Sequence, residues 1–64
     1  MTHFYIFFDG SDYYATPHKS VAGEWPDGIL YEYDADPDDD QSLVSMADYV
    51  AAQVGKPISL QFSW

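Results

Sequence analysis

At 64 residues the chain is a single domain near the lower limit of what folds alone, and the absence of cysteine removes both disulfides and thiolate zinc sites as substitutes for a core. Eleven Asp and Glu stand against two Lys and no Arg, for a net charge of −9, so direct binding to nucleic acid or to an anionic membrane is excluded: the phosphate contribution would be repulsive. With 47% hydrophobic and 19% aromatic residues, the chain is also too apolar to be disordered.

Thr2 to Phe8 reads as a strand, with Phe4, Ile6 and Phe8 on one face and His3, Tyr5 and Phe7 on the other. Apolar residues on both faces predict a central position in a sheet. Asp9-Gly10 predicts a two-residue type I′ hairpin turn, returning through Ser11 to Thr16. Pro17 ends that strand. From His18 to Trp25 the pattern is weak, and Ser20 to Trp25 is taken as a short edge strand before a turn at Pro26-Asp27-Gly28. Ile29 to Ala35 then forms its partner, with Ile29, Tyr31 and Tyr33 facing inward and Leu30, Glu32 and Asp34 facing out. Pro37 cannot donate to a ladder and closes the pairing.

Gln41 to Val54 is the one expected helix. Leu43, Met46, Ala47, Val50 and Val54 form a single apolar stripe. One of Asp38, Asp39 or Asp40 caps it, where the helix dipole favours negative charge. Gly55 and Pro57 stop it. Ile58, Leu60, Phe62 and Trp64 alternate with Ser59, Gln61 and Ser63 as a half-buried strand. The expected fold class is α+β: a small antiparallel sheet of four or five strands with one helix packed on one face. No stretch reaches the ~18 apolar residues of a membrane span. The start of the sequence lacks the layout of a signal peptide. A monomeric cytoplasmic protein without cofactors is expected.

The distinctive stretch is Tyr31 to Asp40. It holds six of the eleven acids, Glu32, Asp34, Asp36, Asp38, Asp39 and Asp40, within nine positions and with no cation between them. In an extended chain Glu32, Asp34 and Asp36 share one edge about 7 Å apart, twice the strand rise of about 3.4 Å. Successive phosphates of a nucleic-acid strand have a spacing of the same order. Asp34, Asp36 and Asp38 match positions of a calcium-binding EF-hand loop, but Asp39 stands where glycine is required and Ser45 where a bidentate Glu is required. No metal site is therefore assigned. Catalytic motifs are missing too: there is no GxSxG, no HExxH and no phosphate-binding glycine loop, while His3 and His18 read as a strand-surface and a loop residue. A non-enzymatic role is expected.

What remains is a protein-binding surface. Eight of the eleven acids lie between Glu24 and Asp40, so their mutual repulsion is concentrated rather than spread. Aromatics are in surplus: Tyr5, Phe7, Tyr14, Trp25, Tyr49 and Trp64 exceed what so small a core can hold, and exposed Tyr and Trp anchor interfaces. The candidate partner-binding residues are Glu32, Asp34, Asp36, Asp38, Asp39 and Asp40, with Glu24, Trp25 and Asp27 beside them. Tyr31 and Tyr33 are assigned to the core.

In size, in its mixture of acids and aromatics and in the run Glu32 to Asp40, the chain resembles the small, cysteine-free acidic inhibitors encoded by phages, anti-CRISPR proteins and other DNA mimics among them. That resemblance implies occupation of a basic DNA-binding or PAM-reading site on a CRISPR effector or another phage-defence nuclease. A fainter resemblance, in the order strand, glycine turn, strand and later helix, is to HicB-type antitoxins, which cover a small basic RNase. Their Pro-Asp-x-Pro-Gly stretch is absent here. The alternative reading is an antitoxin-like or assembly partner that binds through Trp25 or Trp64, its acidity serving only solubility.

Overall fold

The computed structural model describes every residue from Met1 to Trp64. Strand β1 (Thr2–Phe8) lies at the centre, as its two apolar faces predict. It pairs antiparallel with β2 (Tyr13–Thr16) on one side and with β3 (Tyr31–Ala35) on the other. The fourth strand, β4 (Leu60–Phe62), completes the sheet in the order β3-β1-β2-β4. Two helices interrupt the strands, α1 (Lys19–Gly23) and α2 (Asp40–Val54). The fold is α+β, as expected, and its four-stranded sheet is mixed rather than wholly antiparallel, because β4 runs parallel to β2. Parallel neighbours need a long crossover. The chain between β2 and β4 supplies one, passing through α1, β3 and α2.

One face of the sheet and α2 enclose the core. Phe4, Ile6, Ala15, Ala35, Met46 and Val50 are fully buried there, ringed by half-buried Tyr13, Tyr31, Tyr33, Leu43, Val54, Ile58, Leu60 and Phe62. Four of the five residues on the expected helical stripe thus fall in or against the core: Met46 and Val50 within it, Leu43 and Val54 packed against it. Asp39 is the N-cap, its carboxylate accepting from the Gln41 N–H at 3.0 Å. Gly55 ends the helix with a left-handed φ of 87° that a side chain would resist.

The first hairpin departs from the sequence reading. Phe8 pairs with Tyr13, so residues 9–12 form a four-residue loop instead of a two-residue turn. The cause is the Asp9 carboxylate, which accepts from the N–H groups of Ser11 (2.8 Å) and Asp12 (2.7 Å). These bonds satisfy the wider loop, and only Gly10, at φ 100°, takes a positive φ there. Relative to a two-residue turn the register moves by two, not one, so each side chain keeps its face.

Ser20 to Trp25 is not an edge strand. Lys19–Gly23 forms a single helical segment over the second face of the sheet, burying Ala22 completely. The helical path carries Trp25 back over β1, where its ring stacks on Phe7 at 5.4 Å and 11°. Tyr14, opposite Phe7 on β2, stacks on the same ring at 5.3 Å and 12°. Phe7, counted from sequence among the surplus aromatics, is therefore 2% exposed. Tertiary contact overrides a local sequence with no strong preference. Thr16, buried beneath α1, accepts from the His18 N–H at 3.2 Å, so its hydroxyl is not stranded. No helix is long and apolar enough to cross a membrane.

Two substitutions test this architecture. Phe4→Ala should destabilise by about 3–5 kcal/mol. A domain of this size holds roughly 3–10 kcal/mol at 0.05–0.15 kcal/mol per residue, so most of the urea-unfolding midpoint should be lost. Asp39→Ala should remove about 1 kcal/mol by uncapping α2, and Asp39→Asn, which keeps the acceptor, should restore it.

Candidate functional site

Pairing of β3 with β1 assembles a cluster of three ionisable side chains. The register sets Asp34 opposite His3 and Glu32 opposite Tyr5, so His3 has one carboxylate across from it and a second on the diagonal. His3 Nδ1 lies 2.5 Å from Asp34 Oδ1, and Nε2 lies 2.6 Å from Glu32 Oε1. A neutral imidazole has one N–H and one bare lone pair, so it could satisfy only one of these carboxylates; the imidazolium donates to both. Its protonation is accordingly favoured, and the hydrogen bonds from Glu32 first and Asp34 second raise the His3 pKa above its usual range. The Tyr5 ring meets the imidazole edge-on at 4.9 Å and holds it from the side. All three groups stay open to solvent: the side chains of His3, Glu32 and Asp34 are 42%, 54% and 64% exposed.

These are the only ion pairs in the protein, and neither Lys19 nor Lys56 pairs with a carboxylate. His3 is the residue that sequence reasoning missed. Strand alternation already put it with Tyr5 and Phe7 on one face of β1, and Glu32 and Asp34 on the outward face of β3. What the sequence lacks is the adjacency of those two strands across sequence separations of 29 and 31.

Beyond Ala35 the acidic run turns a corner, and its members part company. Asp36 accepts from the Asp38 N–H at 3.0 Å, and its own N–H donates to the Ser42 hydroxyl at 2.8 Å, which pins the bend to the start of α2. Asp39 is committed to the helix cap. Asp38 and Asp40 are exposed, with no side-chain hydrogen bond of their own. Glu32 and Asp34 therefore project from the second face of the sheet, whereas Asp38, Asp39 and Asp40 gather at the N-terminus of α2, the helix that covers the first face. Glu24, at the end of α1, and Asp27, in the Trp25-to-Gly28 turn closed by a 2.8 Å N–H to C=O bond, are exposed on the α1 side. Trp25 is 39% exposed although its ring is stacked on Phe7. The nine candidate residues thus form no single plane: Glu24, Trp25 and Asp27 lie with α1, which packs on β1 and β2, while the acids from Glu32 to Asp40 turn from β3 to the start of α2.

At the other end of β1, the hairpin loop and the connection from α2 to β4 border an open cleft of about 240 Å³ lined by Phe8, Ser11, Asp12, Tyr13, Lys56, Pro57, Ile58 and Ser59. It is about 17 Å along the strand from His3, five residues at 3.4 Å each. The cleft and the His3 cluster do not meet. In the same loop the bonds from the Asp12 and Ser11 N–H groups lower the Asp9 pKa, and the Asp9 charge in turn raises that of Tyr14. No group of three or more His, Asp or Glu side chains converges as a metal-ligand set. Comparison with protein-family models, with curated proteins and with solved structures found no match.

The His3 cluster has a pH signature. Because its pKa in the folded state lies above the unfolded value of about 6.5, folding is favoured by proton binding between the two values. The stabilisation is complete below about pH 6.5 and is lost as pH rises through the folded pKa. Urea titrations from pH 5.5 upward should show stability falling over that window, and His3→Gln should flatten the curve. Asp9 acts in the opposite sense: its contribution is lost as pH falls through its depressed pKa.

Proposed function

We propose that this protein is a non-catalytic inhibitor that presents carboxylates where a basic partner normally holds nucleic-acid phosphates, acting in the host cytoplasm as a DNA mimic of the anti-CRISPR kind. The observation that carries the reading is the imbalance of charge. Eleven carboxylates face two lysines that pair with none of them, and eight of the eleven lie between Glu24 and Asp40. A fold under no demand but solubility gains nothing from concentrating like charge in one stretch of the chain, where self-repulsion opposes folding.

Mechanistically, the net charge of −9 steers the protein toward a basic cleft and raises the association rate. Exposed Asp38 and Asp40 offer free carboxylates, and Glu32 and Asp34 add a pair whose spacing His3 fixes in advance. Preorganisation lowers the ordering cost of docking. Trp25, at 39% exposure, and Trp64, at 63%, favour the second reading, an assembly partner held by aromatic contacts. Salt separates the two, because attraction between exposed charges is screened over a Debye length of about 10 Å at 0.1 M.

The test is capture of partners from a bacterial lysate across a salt series, followed by elution with short duplex DNA. On the mimic reading, the captured protein binds DNA, leaves the column as salt rises and is displaced by duplex. Asp34→Asn, Asp38→Asn and Asp40→Asn combined should weaken capture at least tenfold with the chain still cooperatively folded, its melting temperature lowered only by the loss of the His3–Asp34 pair and of charge at the start of α2. A partner that resists both salt and DNA, or that binds the triple variant equally well, overturns the reading; loss of that partner on Trp25→Ala or Trp64→Ala would then identify the aromatic mode.

A further inference from the structure

We infer that the open edge of β3 is a docking site for an extended basic segment of the partner, which adds to the sheet as a fifth strand. The inference rests on the proposed basic partner and specifies how part of it is held. β3 ends the sheet order, with β1 as its only strand neighbour. The direction of its free backbone groups follows from two bonds on β1. The Asp9 N–H donates to the Asp12 C=O, so the odd-numbered residues of β1 direct their backbone groups toward β2; the Ile6 C=O accepts from the Leu30 N–H at 2.8 Å, so the even-numbered ones face β3. Alternation then commits the N–H and C=O of Tyr31, Tyr33 and Ala35 to β1. Those of Glu32 and Asp34 point to the open edge. α2 packs against β3 on the core face and leaves this edge unpaired.

The two sides of the edge differ in chemistry, and that difference selects the occupant. On the second face stand the Glu32 and Asp34 carboxylates. The His3 ring already bridges them through both nitrogens, and their exposure leaves further acceptor capacity on each. On the core face the rings of Tyr31 and Tyr33 pack against Tyr49 of α2 at 6.5 and 5.2 Å, with Tyr49 37% exposed. A strand laid along β3 sends alternate side chains to these two sides. Its complement has Lys or Arg at every second position and apolar or aromatic residues between them. A second copy of β3 does not satisfy this rule, since it would bring carboxylates against carboxylates. Charge at the edge thus discourages self-pairing and admits a basic strand.

The test leaves the protein unaltered and varies the probe. A seven-residue peptide alternating Lys and Val, a composition-matched isomer with its lysines in one block, and the alternating peptide N-methylated along one backbone edge are titrated into labelled protein at low salt. Strand addition requires the alternating peptide to bind, and the amide hydrogens of Glu32 and Asp34 to exchange at least tenfold more slowly in the complex. The blocked and N-methylated peptides should bind at least tenfold more weakly. Equal binding by all three without amide protection overturns strand addition and leaves the basic-partner reading standing. Failure of the alternating peptide to bind also overturns it, and the lysate experiment then judges that reading separately. Protection that grows with protein concentration alone assigns the edge to a second copy of the chain and likewise overturns the inference.

Discussion

Burial of β1 on both faces is the constraint on which the rest of the molecule depends. So short a chain holds only one thin core, and β1 is the element that core, sheet and charged surface have in common. Phe4 and Ile6 face α2, Phe7 is closed in by Tyr14 and Trp25, and strands pair along both edges. The second face matters as much as the first. Without α1 and Trp25, Phe7 would lie open to water, and a buried Phe side chain is worth about 1.5–3 kcal/mol. In a domain this small that is a substantial share of the whole.

β1 also carries the one residue that partly neutralises the acidic edge. His3 sits between Glu32 and Asp34 because sheet register puts it there, and the three groups are interdependent: the carboxylates favour protonation of the imidazole, and its two ring nitrogens hydrogen-bond one carboxylate each. Elsewhere the chain accommodates its acids by giving them backbone partners. Asp9 closes the hairpin loop, Asp36 the bend and Asp39 the helix cap. Five of the eleven carboxylates thus have structural work, and Asp38 and Asp40 are among those left free for a partner.

That division reshapes the picture of a phosphate-like row. A straight ladder of carboxylates would require the chain to remain extended from Glu32 to Asp40. It bends at Asp36 and Pro37 and enters α2, so the charge wraps from the second face of the sheet around the edge to the helix start. The proposed mimic is a curved patch with an unpaired strand edge within it. Backbone pairing and charge attraction can then act on the same partner segment, the first giving register and the second giving rate.

Local chemistry made much of this legible in advance. The two-sided apolar pattern marks β1 as central, the alternation of Tyr31, Tyr33 and Ala35 with Glu32 and Asp34 assigns the faces of β3, and α2 is delimited by an Asp cap and by Gly55, whose positive φ only glycine adopts readily. Each of these signals lies within a few residues of the feature it predicts. The hairpin loop departs from its local pattern because the side chain of Asp9 competes with the turn type its dipeptide favours, and α1 because a segment of weak preference takes whatever form lets Trp25 reach Phe7. Sequence by itself therefore determined the α+β class, the central strand, the long helix and the concentration of negative charge, since these depend on periodicity and local conformational preference. Tertiary structure alone decided that β4 runs parallel to β2, that β3 lies on an open edge, and that His3 meets Glu32 and Asp34, because strand adjacency is a long-range choice made by core packing.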